Sequence, residues 1–363
     1  MDSRERTFLA LDHEVPDRIP FDFWMSAGLQ LKLEAALGMT REAFLDRNDI
    51  DLRYIEGPRY VGPPLAVLPD GTEPDIWGVP RRTVTLAVGG GRETYREVAA
   101  FPLAGLSSPE AVEAYPGWPS ADWFDYGAIK AQCEAVRRQG RVAVFMGDRL
   151  NRVAQLKPAM YLRGVEQILL DLSLNPEMAR AILGRIRKFY LEYARRIFEA
   201  AGGQLDILLM GDDFGCQQGP LLSPRMWLDF LGEGFAAYTG LAHAYGLRVM
   251  HHTCGSVRPI VPLMLERGLD VLQSLQPEAA GMEHRALKAE FGGRLAFHGG
   301  ISIQQTLPFG TPAQVRREVR ERVEALAPGG GYILGTSHNI QADAPVENVL
   351  VLMDAYREYA AYR

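Results

Sequence analysis

The sequence predicts an α/β protein built as a single closed (β/α)8 barrel, the TIM-barrel fold. Short apolar runs of strand length alternate with amphipathic helical stretches over most of the 363 residues, and this alternation is typical of a parallel sheet. The number of runs approaches eight, which favours a closed barrel over an open sheet. The length alone would also suit two ordinary domains, so the rhythm of strands and helices decides between the two.

The predicted strands are short and mostly apolar. They are RIPFDFW (18–24), VAVFMG (142–147), LDILLM (205–210), LRVMHH (247–252), LDVLQS (269–274), RLAFHG (294–299) and GYILG (331–335). The helices between them carry clear start signals. Ser223-Pro224 and Thr311-Pro312 each place a capping residue before a proline at the first helical position.

Residues 61–106 differ in character from the rest of the chain. The segments LPDGTEPDIWG and RRTVTLAVGGGRETYREV combine Gly and Asp corners with β-prone residues, as turns and antiparallel strands do. We therefore expect an N-terminal antiparallel hairpin insertion within one domain that covers residues 1–363. No repeat or low-complexity linker is visible in the sequence, which disfavours repeat arrays and tethered modules.

Composition and charge limit the classes of function that the protein can have. The chain has 47% hydrophobic and 23% charged residues, with a net charge of −6, and this balance gives no sign of a nucleic-acid or membrane partner. Cys133, Cys216 and Cys254 are too few for a disulfide framework and indicate a reducing compartment. The N-terminus is charged and no apolar stretch reaches membrane-spanning length, so the sequence predicts a cytoplasmic protein.

Polar side chains follow nearly every predicted strand. In a barrel of this kind the carboxyl ends of the strands carry the chemistry. An Asp at one such position often only caps the next helix, but the full set of acids, amides, imidazoles and thiols exceeds what packing requires. We expect substrate-binding side chains at Asp22, Trp24, Asp148, Gln217 and Gln276, and catalytic side chains at Asp212, Asp213 and His298.

The sharpest local signal is the sequence His252-Thr253-Cys254. Side chains at positions i and i+2 of an extended strand point the same way, about 7 Å apart along the chain. An imidazole and a thiol at that spacing can reach one Zn²⁺, which prefers nitrogen and thiolate ligands. His338, after the last predicted strand, is the best candidate for a third ligand. His251 faces the opposite side and would pack against a helix or serve as a supporting partner.

All three candidate catalytic residues have a second interpretation. Adjacent residues on an extended chain diverge, so one of Asp212 and Asp213 enters the site while the other caps or braces a neighbouring segment. The sequence does not say which, and both would also suit a solvated loop. His298 would either donate to a substrate oxygen or lie in the core as a hydrogen-bonded histidine.

A set of segments, specific as a group and in their order, carries a family resemblance. They are RERTFLALDHEVPDRIPFDFW, LRGVEQILLDLSLNPEMARAIL, GDDFGCQQGPLLSPRMW, HHTCGSVRPIVPLMLERGLDVLQ, FHGGISIQQTLPFGTPAQVRREV and GGGYILGTSHNIQADAPVENVLVLMDAY. With them the chain resembles the uroporphyrinogen decarboxylase superfamily over nearly its whole length. The resemblance implies a (β/α)8 barrel, in agreement with the strand count, and a homodimer.

Within that superfamily the chain is more similar to the methyltransferase branch. Decarboxylases have an arginine-rich motif near the N-terminus that grips the carboxylates of the porphyrinogen, whereas RIPFDFWMSAG supplies no cation after Arg18. Decarboxylases also lack the His-x-Cys pair, which the zinc-dependent, corrinoid-linked methyltransferases have. In those enzymes a cysteine shortly before a Pro-x-Glu-Asn sequence is the third ligand. Counting back from Pro345, His338 falls on that position.

The resemblance therefore implies Zn²⁺ held by His252, Cys254 and His338, and a corrinoid (cobalamin) on a partner protein that exchanges a methyl group with a small methyl ether, methanol or thiol. One thiolate and two imidazoles leave zinc about one charge unit more positive than two thiolates and one imidazole, which favours an oxygen substrate. Two alternatives stay open. One is a decarboxylase-like lyase that protonates a tetrapyrrole with Asp22 or Asp212; the other is a non-catalytic corrinoid- or tetrapyrrole-binding barrel.

Overall fold

A curled parallel sheet forms the centre of the molecule. The computed structural model describes residues 1–147 and 152–362. Its strands are β1 (Leu52–Tyr54), β2 (Arg59–Tyr60), β3 (Glu73–Pro74), β4 (Pro80–Val88), β5 (Gly91–Val98), β6 (Phe124–Asp125), β7 (Val142–Phe145), β8 (Ile207–Gly211), β9 (Arg248–His252), β10 (Val271–Ser274), β11 (Ala296–Ile301) and β12 (Tyr332–Thr336). Within the described residues the central sheet has seven strands in the order β1-β7-β8-β9-β10-β11-β12, all parallel. The α/β class predicted from the sequence is confirmed.

Alternate residues of these strands face opposite sides of the sheet. One set forms an apolar cluster enclosed by the curled sheet: Leu52, Val142, Val144, Ile207, Leu209, Met250, Val271, Ala296 and Ile333. The other set, with Phe145 and Phe297 among its members, packs in the large core that includes the helices. Two residues beyond Met250, Val271 and Ala296 come His252, Gln273 and His298. A polar layer therefore lies directly on the apolar one, toward the carboxyl ends of the strands.

The predicted first strand, RIPFDFW, is reduced to isolated bridges. Phe21 bridges Leu334 of β12 in the parallel sense, and the amide of Asp51, next to β1, donates to the carbonyl of Phe21 over 2.9 Å. This segment lies between the two edge strands of the sheet. Seven strands are formed among the described residues, where the sequence predicts eight. Pro20 has no amide hydrogen to donate, which shortens the ladder at this place.

Helices connect the strands of the sheet. They are α1 (Ser3–Leu11), α2 (Ala27–Leu37), α3 (Arg41–Arg47), α4 (Pro109–Glu113), α5 (Ile129–Arg138), α6 (Leu156–Arg163), α7 (Val165–Leu174), α8 (Pro176–Ala201), α9 (Pro224–Ala244), α10 (Val261–Leu265), α11 (His284–Phe291), α12 (Thr306–Phe309), α13 (Pro312–Leu326), α14 (Val346–Tyr359) and the 3₁₀-helix Ala121–Trp123. Both predicted starts are confirmed, because Ser223 and Thr311 cap α9 and α13 with their side chains. Among these helices none combines the length and the apolar composition needed to cross a bilayer.

A separate antiparallel sheet of β3, β4 and β5 lies within residues 61–106. Gly89 and Gly90 join β4 to β5, and their φ angles of 51° and 76° are in the left-handed region that a two-residue hairpin turn requires. β2 pairs with β6 in a second, shorter antiparallel contact.

Glu93 of β5 anchors this sheet to the carboxyl end of the central one. Its side chain is only 2% exposed and accepts a hydrogen bond from the amide of Ala342 over 2.7 Å. The hydroxyl of Ser26, which caps α2, donates to the same carboxylate oxygen. Because Ala342 lies in the loop that follows β12, the hairpin braces the loop that carries His338.

We expect Glu93→Ala to lower the free energy of unfolding by about 2–3 kcal/mol, since it leaves the buried amide of Ala342 and the hydroxyl of Ser26 without their acceptor. Glu93→Gln keeps one acceptor oxygen and should lose roughly half as much. Urea unfolding followed by circular dichroism measures both. Equal losses for the two variants would show that the charge of Glu93, and not its acceptor oxygen, stabilises the junction.

Candidate metal centre

His252, Cys254 and His338 meet at the carboxyl end of the sheet. His252 is the last residue of β9, Cys254 follows it, and His338 lies just after β12. One donor atom from each side chain lies within 4.8 Å of the others, and the Cys254 Sγ is 3.4 Å from the His252 Nε2. His252 is buried and the other two are half-buried. The structure thus brings together the three side chains that the sequence singles out as ligands.

Gln273 sets the orientation of the His252 ring. The amide oxygen of Gln273 contacts the Nδ1 of His252, and an amide oxygen only accepts hydrogen bonds. His252 therefore carries its proton on Nδ1, and its Nε2 presents a lone pair toward Cys254. Metal-binding histidines in proteins are held in this way by an acceptor on the second ring nitrogen.

The protonation states of the cluster suit a cation. Burial lowers the pKa of His252 and of His338 below the ordinary histidine value, so both rings are neutral and carry a lone pair. Burial, together with the charge of Asp213, raises the pKa of Cys254 to about 12. The thiol therefore keeps its proton unless a cation stabilises the thiolate. Nitrogen and sulfur donors in this arrangement fit a Zn²⁺ ion.

Asp213 lies beside the cluster and is paired with a lysine. Its Oδ1 accepts from the amide of Cys254 over 3.1 Å and lies 3.8 Å from the His252 Nε2. Its Oδ2 is 2.5 Å from the Nζ of Lys157. Burial by itself would raise the pKa of Asp213, but the ammonium of Lys157 outweighs it and holds the pKa below its usual range. Of the two adjacent aspartates, Asp213 is the one that faces the site.

Asp212, one of the expected catalytic candidates, braces the start of a helix. Its carboxylate accepts hydrogen bonds from the amides of Gln155, Leu156 and Lys157 over 2.6, 3.0 and 2.6 Å. These amides open α6, and a carboxylate at a helix N-terminus satisfies donors that have no partner inside the helix. These three hydrogen bonds hold the Asp212 carboxylate against the start of α6.

Trp24 forms one wall of the centre. Its ring centroid is 5.6 Å from that of His252 and 6.1 Å from that of His338. Tyr54 stacks on the same indole at 6.0 Å, and the guanidinium of Arg152 lies 5.4 Å from the ring centroid. The predicted substrate residue Trp24 therefore touches both imidazoles of the cluster.

A cavity of about 430 Å³ opens beside the cluster. It is lined by Gly215, Cys216, Gln217, Cys254, Gly255, Ser274, Gln276, Ile303, Gln304, Ser337, His338 and Gln341. Of the predicted substrate residues, Gln217 and Gln276 line it. The amide oxygen of Gln276 accepts from Gly255 over 3.0 Å and so also holds the turn after Cys254. Asp148 lies outside the described residues.

Asp22 and His298, expected in substrate contact and in catalysis, are not among the residues that line that cavity. Each is 1% exposed, and the His298 Nε2 is 2.8 Å from the Asp22 Oδ2. The hydroxyl of Tyr54 donates to the same oxygen over 2.6 Å. Burial and the charge of Asp22 raise the pKa of Tyr54 well above its usual value, so the phenol stays protonated. Both side chains lie in the polar layer beneath the cluster, where they bond to each other.

Three further residues lie in or near the site: His251, Lys157 and Ser274. His251 packs between Phe214 and Phe235 of α9, with ring centroids at 5.0 and 5.2 Å, as expected for a histidine that faces the helices. Lys157 and Ser274 were not expected at the site. Lys157 is the second residue of α6 and does not directly follow any predicted strand, so no sequence signal marks it. Ser274 has an uncommon positive φ of 113°, and its Oγ is 3.8 Å from the Cys254 Sγ.

Polar side chains gathered at the carboxyl ends of a curled parallel sheet define an α/β enzyme. The family model described as uroporphyrinogen decarboxylase (URO-D) matches residues 153–359, and the chain belongs to this family. The predicted resemblance is thereby confirmed.

Two curated relatives match parts of the chain. A uroporphyrinogen decarboxylase of Actinobacillus succinogenes is 33% identical over 73 residues, which is 20% of each chain. A methylated-thiol–coenzyme M methyltransferase of Methanosarcina mazei is 23% identical over 239 residues, which is 62% of this chain and 60% of that protein. The chain thus matches a fifth and three fifths of the lengths of these relatives.

A solved structure shares the fold over its full length. It is described as a methyltransferase from Methanosarcina mazei and covers 99% of both chains, with a TM-score of 0.68 and 18% sequence identity. The fold of the chain is therefore that of a known methyltransferase.

We expect Asp212→Ala to lower the free energy of unfolding by about 2–4 kcal/mol, because three amides at the start of α6 lose their acceptor. Asp212→Asn keeps one acceptor oxygen and should lose roughly half as much. In the folded Asn variant the affinity for zinc should stay within about twofold of wild type. Urea unfolding and chelator competition measure the two quantities. A stable Asn variant with much weaker zinc binding would contradict a purely structural position.

Proposed function

We propose that the protein is a zinc-dependent methyltransferase that moves a methyl group between a small substrate and a corrinoid carried by a separate protein. The proposal is supported above all by the convergence of His252, Cys254 and His338, with donor atoms within 4.8 Å of one another. Membership in the URO-D family and the fold of the Methanosarcina mazei methyltransferase are consistent with it.

The proposal includes the architecture that carries the site. In it the chain is one (β/α)8 barrel over residues 1–363, with the segment around Phe21 in the place of the eighth strand and residues 61–106 inserted near the N-terminal end. The hydrogen bonds of this segment to Leu334 on one side and from Asp51 on the other support the arrangement. A closed sheet leaves no edge strand unpaired.

His252, Cys254 and His338 would hold the zinc ion. Bound there, zinc supplies Lewis acidity to a substrate oxygen or stabilises a substrate thiolate. One thiolate among three protein ligands leaves more positive charge on the ion than two thiolates do. We therefore propose that the substrate is a methyl ether or methanol in preference to a thiol.

The remaining residues bind and orient the substrate. Asp213, kept ionised by Lys157 at 2.5 Å, presents its other oxygen toward the cluster, where it can orient the substrate. Trp24 packs on the two imidazoles and excludes water from that side. Gln217 and Gln276 offer amide groups to the part of the substrate that lies in the cavity.

A decarboxylase-like lyase is less well supported. Its acid would be Asp22 or Asp212, but the first is bonded to Tyr54 and His298 and the second to three backbone amides. Neither carboxylate is placed to meet a tetrapyrrole in the cavity. A non-catalytic binding barrel would have no use for three convergent ligand side chains, so we rank it last.

Metal content tests the first part of the proposal. Wild-type protein should contain about one zinc per chain and Cys254→Ala much less, because the variant lacks the only thiolate among the three ligands. Mass spectrometry of the purified proteins measures it. Cys216→Ala is the matched control, since Cys216 lines the same cavity but is not part of the cluster, and it should keep its zinc. An absence of zinc from wild type would overturn the proposal.

Methyl transfer tests the second part. With a methoxylated aromatic and free cob(I)alamin, the C–O bond breaks with its electron pair left on oxygen, cobalt supplies the pair for the new Co–C bond, and the phenolate takes a proton. The visible spectrum should change to that of methylcobalamin, with an equal amount of phenol formed. His338→Cys, which adds a second thiolate, should slow this reaction about tenfold or more. Rapid methyl transfer to or from a thiol, with no methyl transfer from oxygen donors, would refute the preference for an oxygen substrate.

A further inference from the structure

Three polar residues occupy matched positions on neighbouring strands beneath the metal centre. Gln273 of β10 pairs in register with His252 of β9 and with His298 of β11. In-register residues of parallel strands point to the same face of the sheet. Gln273 is 0% exposed, and His252 and His298 are each 1% exposed. Any hydrogen bond that these side chains make is therefore made inside the protein.

The direction of the hydrogen bonds at one end of this row is determined by Asp22. The carboxylate oxygen of Asp22 that accepts from Tyr54 also lies 2.8 Å from the Nε2 of His298. A carboxylate has no proton to donate, so His298 carries its proton on Nε2. The Nδ1 of His298 is then a lone pair that needs a donor.

The direction of the hydrogen bonds at the other end of the row is determined by Gln273. Its amide oxygen faces the Nδ1 of His252, and its amide nitrogen has no hydrogen-bond partner among the described residues. The Nδ1 of His298 likewise has none among them. One of these two buried atoms is a donor and the other an acceptor, on adjacent in-register positions. They are complementary, whether they pair directly after a small rotation of the amide or through one water.

We propose that Asp22, His298 and Gln273 form a chain of positioning residues that holds His252 as its Nδ1–H tautomer and thereby leaves the Nε2 of His252 free for the metal. Each member dictates the next: Asp22 places the proton of His298, His298 orients the amide of Gln273, and Gln273 places the proton of His252. The inference rests on the proposed zinc site and assigns Asp22 and His298 to the support of that site instead of to the substrate.

The chain matters because an amide can be reversed at little steric cost. If Gln273 rotated by half a turn, its NH₂ group would face His252, whose Nδ1 would have to accept. The proton of His252 would then move to Nε2 and block metal binding. The lone pair of His298 prevents this, because the reversed amide would present its oxygen to another acceptor. A buried acceptor pair of that kind is unfavourable.

The first test reads the tautomers in metal-free protein. Long-range ¹H–¹⁵N correlation spectra of histidine-labelled protein should show His252 protonated on Nδ1 and His298 on Nε2. In Asp22→Asn no carboxylate fixes which ring nitrogen of His298 carries the proton. His252 should therefore become a mixture of its two tautomers. An unchanged His252 tautomer in this variant, or His298 protonated on Nδ1 in wild type, would overturn the inference.

The second test measures zinc dissociation constants by competition with a chromophoric chelator. Asp22→Asn should weaken zinc binding about tenfold or more. Gln273→Glu, whose carboxylate accepts from His252 unconditionally, should bind zinc about as tightly as wild type. In the Gln273→Glu background the added Asp22→Asn change should cost at most about twofold, since the tautomer no longer depends on Asp22. Asp171→Asn, a buried carboxylate paired with Arg163 outside the site, is the matched control and should leave zinc binding unchanged.

The double variant distinguishes control of the tautomer from a general effect of the Asp22 charge. If Asp22 acted only through its negative charge, or only through stability, the Asp22→Asn change would weaken zinc binding equally in both backgrounds. Should Asp22→Asn fail to fold, the pair Gln273→Met and Gln273→Glu tests whether the acceptor beside His252 sets the affinity for zinc, with a loss of about tenfold or more expected for Met alone. If wild type binds no zinc, the proposed function fails while the tautomer spectra still test the chain. If wild type binds zinc and neither Asp22→Asn nor Gln273→Met weakens zinc binding, only the inference fails.

Discussion

The site depends on the parallel register of β9, β10 and β11. This register places His252, Gln273 and His298 side by side on one face, directly above the apolar layer of Met250, Val271 and Ala296. A slip of one residue in any of these strands would turn its polar side chain toward the helices. The apolar layer thus stabilises the register, and the register in turn assembles the site.

The adjacent residues Asp212 and Asp213 have different roles because their side chains point in different directions just after β8. Asp212 stabilises the start of α6, while Asp213 faces the cluster and binds the lysine that α6 carries. The cap therefore also sets the position of the Lys157 ammonium relative to Asp213. In the same way Glu93 connects the antiparallel hairpin to the loop after β12. The side chains that could touch a substrate are held by buried carboxylates that do not touch it.

Much of the fold is encoded in local sequence. The apolar runs from Val142 onward become the strands of the central sheet, and the Ser-Pro and Thr-Pro pairs start α9 and α13, since both signals depend only on neighbouring residues. The run RIPFDFW has the composition of a strand but forms isolated bridges. Its pairing depends on how closely the two edge strands approach, and no residue within the run reports that distance.

By itself the sequence determined the pair His252 and Cys254, because two residues of an extended chain two positions apart must share a face. It also indicated His338 as the candidate third ligand, through its place after the last strand. Only the tertiary structure decided which aspartate enters the site, that Lys157 pairs with it, and that Asp22 and His298, 276 residues apart in the chain, bond to each other. These contacts join distant strands and helices, so their partners are chosen by packing and by the need to satisfy every buried donor and acceptor.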